Sequence, residues 1–361
     1  MSVTNGTLLK LLKEIYEDTS KWVYKNNVRK MAPYVIFDKE KCRGFIEEYF
    51  DCAGKGADNN TLLFKLENRG DIPDTRCQHI VMTFFFGLLL YDKCSKIKKS
   101  IDLFLSNETY RKALENHKDA PFAYVWFLIC LFHDLGYTLE YKRGEHREYK
   151  TYDSLKEKKV WNDSPAGVPE NFNSELLSSY FAWRNHGNGG KNDHGICSGH
   201  YLYAEMCAVQ QKKKLNRADK KWWKDELKDI FNLAAWVVAC HNIWTVKEEN
   251  DEDVAKYRAA HLESLIIGKD KEGNLCYKIH LREHPFLFLF CLVDSIEPIK
   301  VVKDVNLLDK ILLEIADEGI KIDVQLTCGC HDKLLGNLNN LNDWLTKTSV
   351  AGDIARICLH E

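Results

Sequence analysis

"FLICLFHDLGYTLEY" (residues 127–141) is the stretch on which the reading of this chain turns. Phe127 to Phe132 are all apolar and suit a buried helix, and the run ends directly in His133 and Asp134. A carboxylate taken out of water is costly unless it is paired or coordinates a metal. An imidazole and a carboxylate side by side at the end of a core helix therefore ask for a common partner. Successive helical residues point about 100° apart, so both side chains can address one ion only near a helix end or a local irregularity. Gly136, two residues on, supplies backbone freedom for such an irregularity.

The same pattern recurs. His79 stands in "RCQHIVMTFFFGLLLY" (76–91), His241 in "LAAWVVACHNIW" (233–244) and Asp294 in "HPFLFLFCLVDSIEP" (284–298). His194 opens the segment "HGICSGHYLYAEMCAVQQ" (194–211), just after the Gly- and Asn-rich "RNHGNGGKND" (184–193). Taken singly, each is a hydrogen-bonded core histidine or a helix cap. Five such positions on separate apolar segments are explained together by a metal site. Imidazole and carboxylate donors suit Zn, Mn, Fe or Ni, and carboxylate-rich positions also accept Mg.

The chain that carries them has 361 residues, 45% hydrophobic and 29% charged, which is ample for a sizeable core. Its formal net charge of −2 weighs against a nonspecific nucleic-acid binder. The longest apolar runs, 84–91 and 285–293, fall far short of the roughly 20 residues of a membrane span. Thirteen cysteines without a repeating framework point to free thiols and a cytoplasmic setting. Helices are predicted over 7–17 and 41–50 from apolar spacing, and over 75–94, about 99–117, 121–134, 194–211, 229–244 and 285–299 from apolar runs and helix-start signals. The polar stretch 142–192 is expected to be an insertion or long connection outside the core, of the kind that serves as a lid or binding loop. A hairpin is expected around the turn Lys271–Asn274, a helix over 307–319, a strand over 320–327 and a helix over 334–345.

The order His79, His133-Asp134, His194, His241, Asp294 resembles the HD-domain superfamily of metal-dependent phosphohydrolases. "RCQHIV" is similar to the first motif of that family, with Arg76 three residues before the histidine. "LFHDLGY" is similar to its central signature and "HPFLFLFCLVDSIEP" to its last helix. The resemblance covers about residues 70–300 and implies a mainly α fold: an HD-type helical bundle, an N-terminal helical segment (1–69) packed on it, and a C-terminal α+β appendage (301–361). It further implies two divalent ions (Mn, Fe, Mg, Zn, Ni and Co are not distinguished). His79, His133 and Asp294 would bind the first, His194 and His241 the second, and Asp134 would bridge. Tyr137 stands where some nuclease and phosphodiesterase branches carry a lysine, which weakens the transfer of those particular substrates.

Two ions a few ångströms apart can lower the pKa of a shared water towards neutrality and hold phosphoryl oxygens. The resemblance and this chemistry imply hydrolysis of a phosphate ester or anhydride in a nucleotide or nucleotide-derived signal. Catalytic candidates beside Asp134 are Arg76, Arg184 and Lys191; His186 and His200 are further proton or charge sources. Arg76 reads equally as a brace for a carboxylate, and His200, six residues after His194, as structural. The expected partner is a small phosphorylated molecule, with no duplex nucleic acid and no membrane. Residues 301–361 are a candidate surface for a homo-oligomer. Two other classes remain open from sequence: an HD-type di-iron oxygenase and a non-catalytic nucleotide-binding sensor.

Overall fold

The structure, a computed structural model, describes residues 4–23, 39–52, 76–117, 120–139, 149–158, 174–186, 194–215, 221–242, 268–269, 275–276, 279–297, 305–316, 319–325, 336–337 and 355–360. It is mainly helical. In chain order the elements begin with β1 (Thr4–Thr7), α1 (Leu8–Glu17), α2 (Lys39–Cys52), α3 (Arg76–Lys93), α4 (Ser95–Leu105), α5 (Glu108–Ala113) and α6 (Pro121–Phe132). Then come α7 (Tyr152–Lys158), α8 (Ser174–His186), α9 (His194–Lys214), α10 (Leu227–Cys240), β2 (Gly268–Lys269), β3 (Leu275–Cys276) and α11 (Pro285–Ile296). The chain closes with β4 (Ile311–Ala316), β5 (Gly319–Gln325) and β6 (Ala355–His360). These elements divide into two units. One comprises Met1–Asn107, His117–Cys130 and His280–Glu361; the other comprises Glu108–Asn116 and Leu131–Ile279.

In the first unit α3 and α11 have no exposed face over their apolar stretches. Thirteen residues of α3 between Cys77 and Leu90 and every residue of α11 are buried. A helix apolar on all sides is stable only as a core strut. Aromatic rings lock the struts to their neighbours: Phe84 meets Phe127 of α6 edge-on at 5.4 Å, Trp126 meets Phe290 at 5.7 Å, and Tyr16, Trp22, Phe45 and Phe85 form one cluster. Buried Trp126 donates from Nε1 to the Phe84 carbonyl at 3.0 Å, so its polar end is satisfied. The glycine in "FFFGLLL" makes this possible. A Cβ on Gly87 would stand inside the Trp126 ring system. At the chain's start, Thr7 ends β1 and caps α1, its Oγ1 accepting from Lys10 N at 3.3 Å.

A four-stranded sheet in the order β1-β4-β5-β6 belongs to the same unit, with β1/β4 and β4/β5 antiparallel and β5/β6 parallel. It corrects one expectation. The segment 307–319 is not a helix: a 3₁₀ turn over Val305–Lys310 leads into β4. "ILLEIA" satisfies both periods, but Ile311, Leu313 and Ile315 are buried and alternate with less buried neighbours, and strands flank it on both sides. Tertiary pairing overrides the helical option. The expected hairpin is present as β2/β3, with Gly268 opposite Cys276; its turn 271–274 lies outside the described residues, as does most of the helix expected at 334–345.

In the second unit α9 and α10 pack together. The stretch 142–192 is a second correction. It contains α7 and α8, which pack on each other, and Tyr149, Tyr152, Leu155, Leu177, Tyr180 and Phe181 are buried. A few large aromatic anchors bring charged helices into the core while most of the sequence stays polar. The helix expected over 99–117 is also broken. Ser106 Oγ donates to the Leu103 carbonyl at 2.6 Å and ends α4, as side chains that compete for backbone groups do. Among the described residues no helix is long and apolar enough to cross a membrane.

The Gly87–Trp126 contact predicts that Gly87→Ala destabilises the protein by about 1–3 kcal/mol, the usual cost of overpacking a filled core. Thermal unfolding should report a melting point lower by several degrees. An unchanged midpoint would show that the Trp126 ring has room to move.

Candidate metal centre

α6 ends at Phe132, and the chain turns through His133 and Asp134 before a short 3₁₀ helix over Leu135–Thr138. The histidine–aspartate pair thus sits where the helix stops, and both residues are buried. Ser198 of α9 holds this turn. Its Oγ accepts from Gly136 N at 2.6 Å and donates to the His133 carbonyl at 2.8 Å. Gly136 is required for space, not for an unusual backbone angle. A Cβ there would collide with the backbone carbonyl of His194 and with Ser198 Oγ.

This closeness brings Asp134, His194 and His241 together. One donor atom from each lies within 4.8 Å of the others, and all three residues are buried. Asp134 divides its carboxylate: Oδ2 is 2.7 Å from His133 Nε2, and Oδ1 is 3.6 Å from His194 Nε2. The His241 ring stands edge-on to both other imidazoles, 5.7 Å from His133 and 5.1 Å from His194. His241 Nδ1 lies 2.6 Å from the Val238 carbonyl, which fixes Nδ1 as the protonated nitrogen and leaves the Nε2 lone pair for a ligand. His194 is held differently. Tyr137 stacks on its ring at 3.8 Å and 17°, and the Asn242 amide lies 3.2 and 3.3 Å from its two nitrogens.

The first unit holds a second group of ligand-type residues. His79, on α3, lies with Nε2 3.2 Å from Asp294 Oδ1 on α11. Two ligands each about 2.1 Å from one ion, at octahedral or tetrahedral angles, are separated by roughly 3.0–3.4 Å. His79 Nδ1 faces Glu297 Oε2 at 2.8 Å, with Thr83 Oγ1 at 3.4 Å. Burial, and then the Asp294 charge, push the Cys130 thiol well up, which keeps it protonated beside these groups. Buried imidazoles and carboxylates in these arrangements fit a divalent cation of the Zn, Fe or Mn type.

The remaining sequence candidates are placed less uniformly. Arg76 is the first residue of α3, half-buried and one turn before His79. Arg184 lies on α8, half-buried, one turn beyond Tyr180, whose hydroxyl donates to the Asn242 carbonyl at 3.4 Å. Residues four apart share a helix face, so Arg184 continues the face that reaches the turn after His241. His200 pairs with Tyr152 of α7 at 3.1 Å, a structural tie between α9 and the polar stretch. Lys191 lies outside the described residues. Sequence reasoning passed over Ser198, Asn242 and Glu297. Of these, Glu297 stands three residues after a ligand-type aspartate but follows the apolar run, so its full burial emerges only in the structure. Tyr137 lies against His194.

No protein-family model, no curated protein and no solved structure matches the chain.

Gly136→Ala leaves every candidate ligand in place but forces the turn away from His194. It should lower zinc affinity by about 10–100-fold, the range for lost outer support of a metal site. Ser198→Ala should act in the same direction more weakly. Equilibrium dialysis of the two variants is the check. Wild-type affinity in Gly136→Ala would mean that the close approach does not shape the ligands.

Proposed function

We propose that this chain is a metal-dependent phosphohydrolase or phosphodiesterase that acts on a nucleotide or nucleotide-derived signal. The observation that carries the proposal is the split carboxylate of Asp134, one oxygen towards His133 and the other towards His194. A carboxylate serving one ion would present both oxygens to it or leave one for hydrogen bonds. One serving two ions presents one to each. On this proposal His194 and His241 serve the second ion with Asp134, and His79, His133 and Asp294 serve the first, as the resemblance to HD-domain proteins implies.

When bound, such ions supply Lewis-acid charge for phosphoryl oxygens and lower the pKa of a water between them. The protein's own groups do the rest. The buried imidazoles and carboxylates keep bulk water out and fix the donor directions. Arg184 and Lys191 are positioned by sequence on the approach to His194, where charge-assisted hydrogen bonds would hold a phosphate. Arg76 would serve the same end or brace a carboxylate near His79.

The test is metal analysis of the purified chain, followed by a screen for phosphate and nucleoside products over a nucleotide panel, with Asp134→Ala alongside. The expected result is bound divalent metal, a product from at least one nucleotide, and loss of both in Asp134→Ala. His194→Ala and His241→Ala should empty one metal class while sparing the other. Equal behaviour of wild type and Asp134→Ala would sink the proposal. Tightly bound iron with substrate-dependent oxygen uptake would replace it by an oxygenase.

A further inference from the structure

Glu297 has no role in the six-residue set, yet among the described residues it is the most deeply buried carboxylate of the first unit, at 0% exposure. It stands at the end of α11, where the helix stops and the backbone turns extended. A glutamate at a helix end next to Pro298 can ordinarily turn its head to water. Here the side chain points inward, and its Oε2 lies 2.8 Å from His79 Nδ1. The opposite nitrogen of the same ring, Nε2, faces Asp294 at 3.2 Å. The imidazole is therefore clamped between two carboxylates of one helix, three residues apart, with one on each nitrogen.

The two contacts have different chemical consequences. A carboxylate accepts hydrogen bonds and does not donate. Glu297 therefore requires a proton on Nδ1. Asp294 likewise only accepts, so the space between it and Nε2 calls for a proton or a cation; with Nδ1 protonated, a cation there meets the Nε2 lone pair. Thr83 Oγ1, one turn along α3, adds a weaker contact to Nδ1 at 3.4 Å.

We infer that Glu297 is a positioning residue that fixes the tautomer and plane of His79, so that Nε2 and Asp294 Oδ1 present a preformed pair of donors to a divalent cation. The inference rests on the metal centre proposed above and deepens it. A buried anion on the far side of a ligating imidazole makes it a stronger donor, and loss of such partners typically weakens metal binding 10–100-fold. By contrast the His241 ring is oriented by a neutral carbonyl, that of Val238. Glu297 should therefore matter to one class of bound metal and not to both.

The experiment uses the full-length chain stripped of metal, zinc as the probe, and the variants Glu297→Gln and Glu297→Ala. Zinc affinities are measured by chelator competition, and histidine tautomers by long-range proton–nitrogen correlation on metal-free wild type. The expected results are a His79 ring protonated at Nδ1 in wild type, and a loss of about 10–100-fold in one zinc class for Glu297→Ala. Glu297→Gln keeps an oxygen acceptor at the same reach and should retain most of the affinity, with a loss below about tenfold. A merely structural glutamate would lower the unfolding temperature of the variants without separating the two zinc classes. Two results would overturn the inference: a His79 ring whose only proton is on Nε2 in wild type, or a Glu297→Ala variant, shown folded by its unfolding transition, with both zinc classes at wild-type affinity. If wild type binds no zinc while His79 carries its proton on Nδ1, the metal proposal falls and the positioning of the ring stands.

Discussion

One serine hydroxyl organises the second unit. Ser198 Oγ takes the N–H of Gly136 and gives its proton to the carbonyl of His133, and so closes the turn that follows α6 from both sides. Helix termini leave backbone groups unsatisfied, and buried ones need partners. Here the partner comes from α9, the helix that also begins with His194. The same contact that satisfies the end of α6 therefore fixes the distance between Asp134 and His194. Gly136 is the condition for it, since any side chain there would push the two backbones apart. A carboxylate whose oxygens reach two histidines in different directions follows from this close approach.

The first unit solves a related problem with helices instead of a turn. α3 and α11 are buried on every side, so a polar residue on either has no water to face. His79, Asp294 and Glu297 satisfy one another within that constraint, and the thiol of Cys130 stays protonated beside them. Close packing leaves these groups few alternative rotamers. The aromatic contacts of Trp126 with the Phe84 carbonyl and with Phe290 tie α3 and α11 to α6. The rigidity of the polar group is thus inherited from the apolar core around it.

Much of this was legible in the residues. Polar side chains that interrupt strongly apolar runs stand out, and His79, His133, Asp134, His241 and Asp294 were found in that way. The segments 75–94 and 285–299 were read as helices from long apolar runs opened by helix-start signals, and 194–211 from its resumption after the Gly-rich stretch. What was not legible has physical reasons. Glu297 follows the apolar run instead of interrupting it, so it looks like a solvated helix end. Ser198 acts through backbone groups of a segment more than sixty residues away, and nothing in its local sequence announces that. "ILLEIA" fits a period of two as well as it fits a helix, and only pairing with β1 and β5 decides between them. In 142–192 a handful of aromatic anchors are diluted by charge, so average polarity hid two helices.

The histidines differ most in what stands behind them. His79 has a carboxylate on Nδ1, His241 a main-chain carbonyl, and His194 a stacked phenol ring with an amide nearby. Each arrangement restrains the ring, but only the first adds a negative charge. In a low-dielectric interior a charged partner polarises an imidazole more than a neutral one does. Donor strength at the three rings should then fall from His79 to His241, and His194 should be set more by shape than by charge. Candidate ligands of equal chemical type are made unequal by the groups that stand behind them. A motif read from sequence records the candidate ligands and leaves out this ranking, which arises only when the fold brings Glu297, Val238 and Tyr137 to their places.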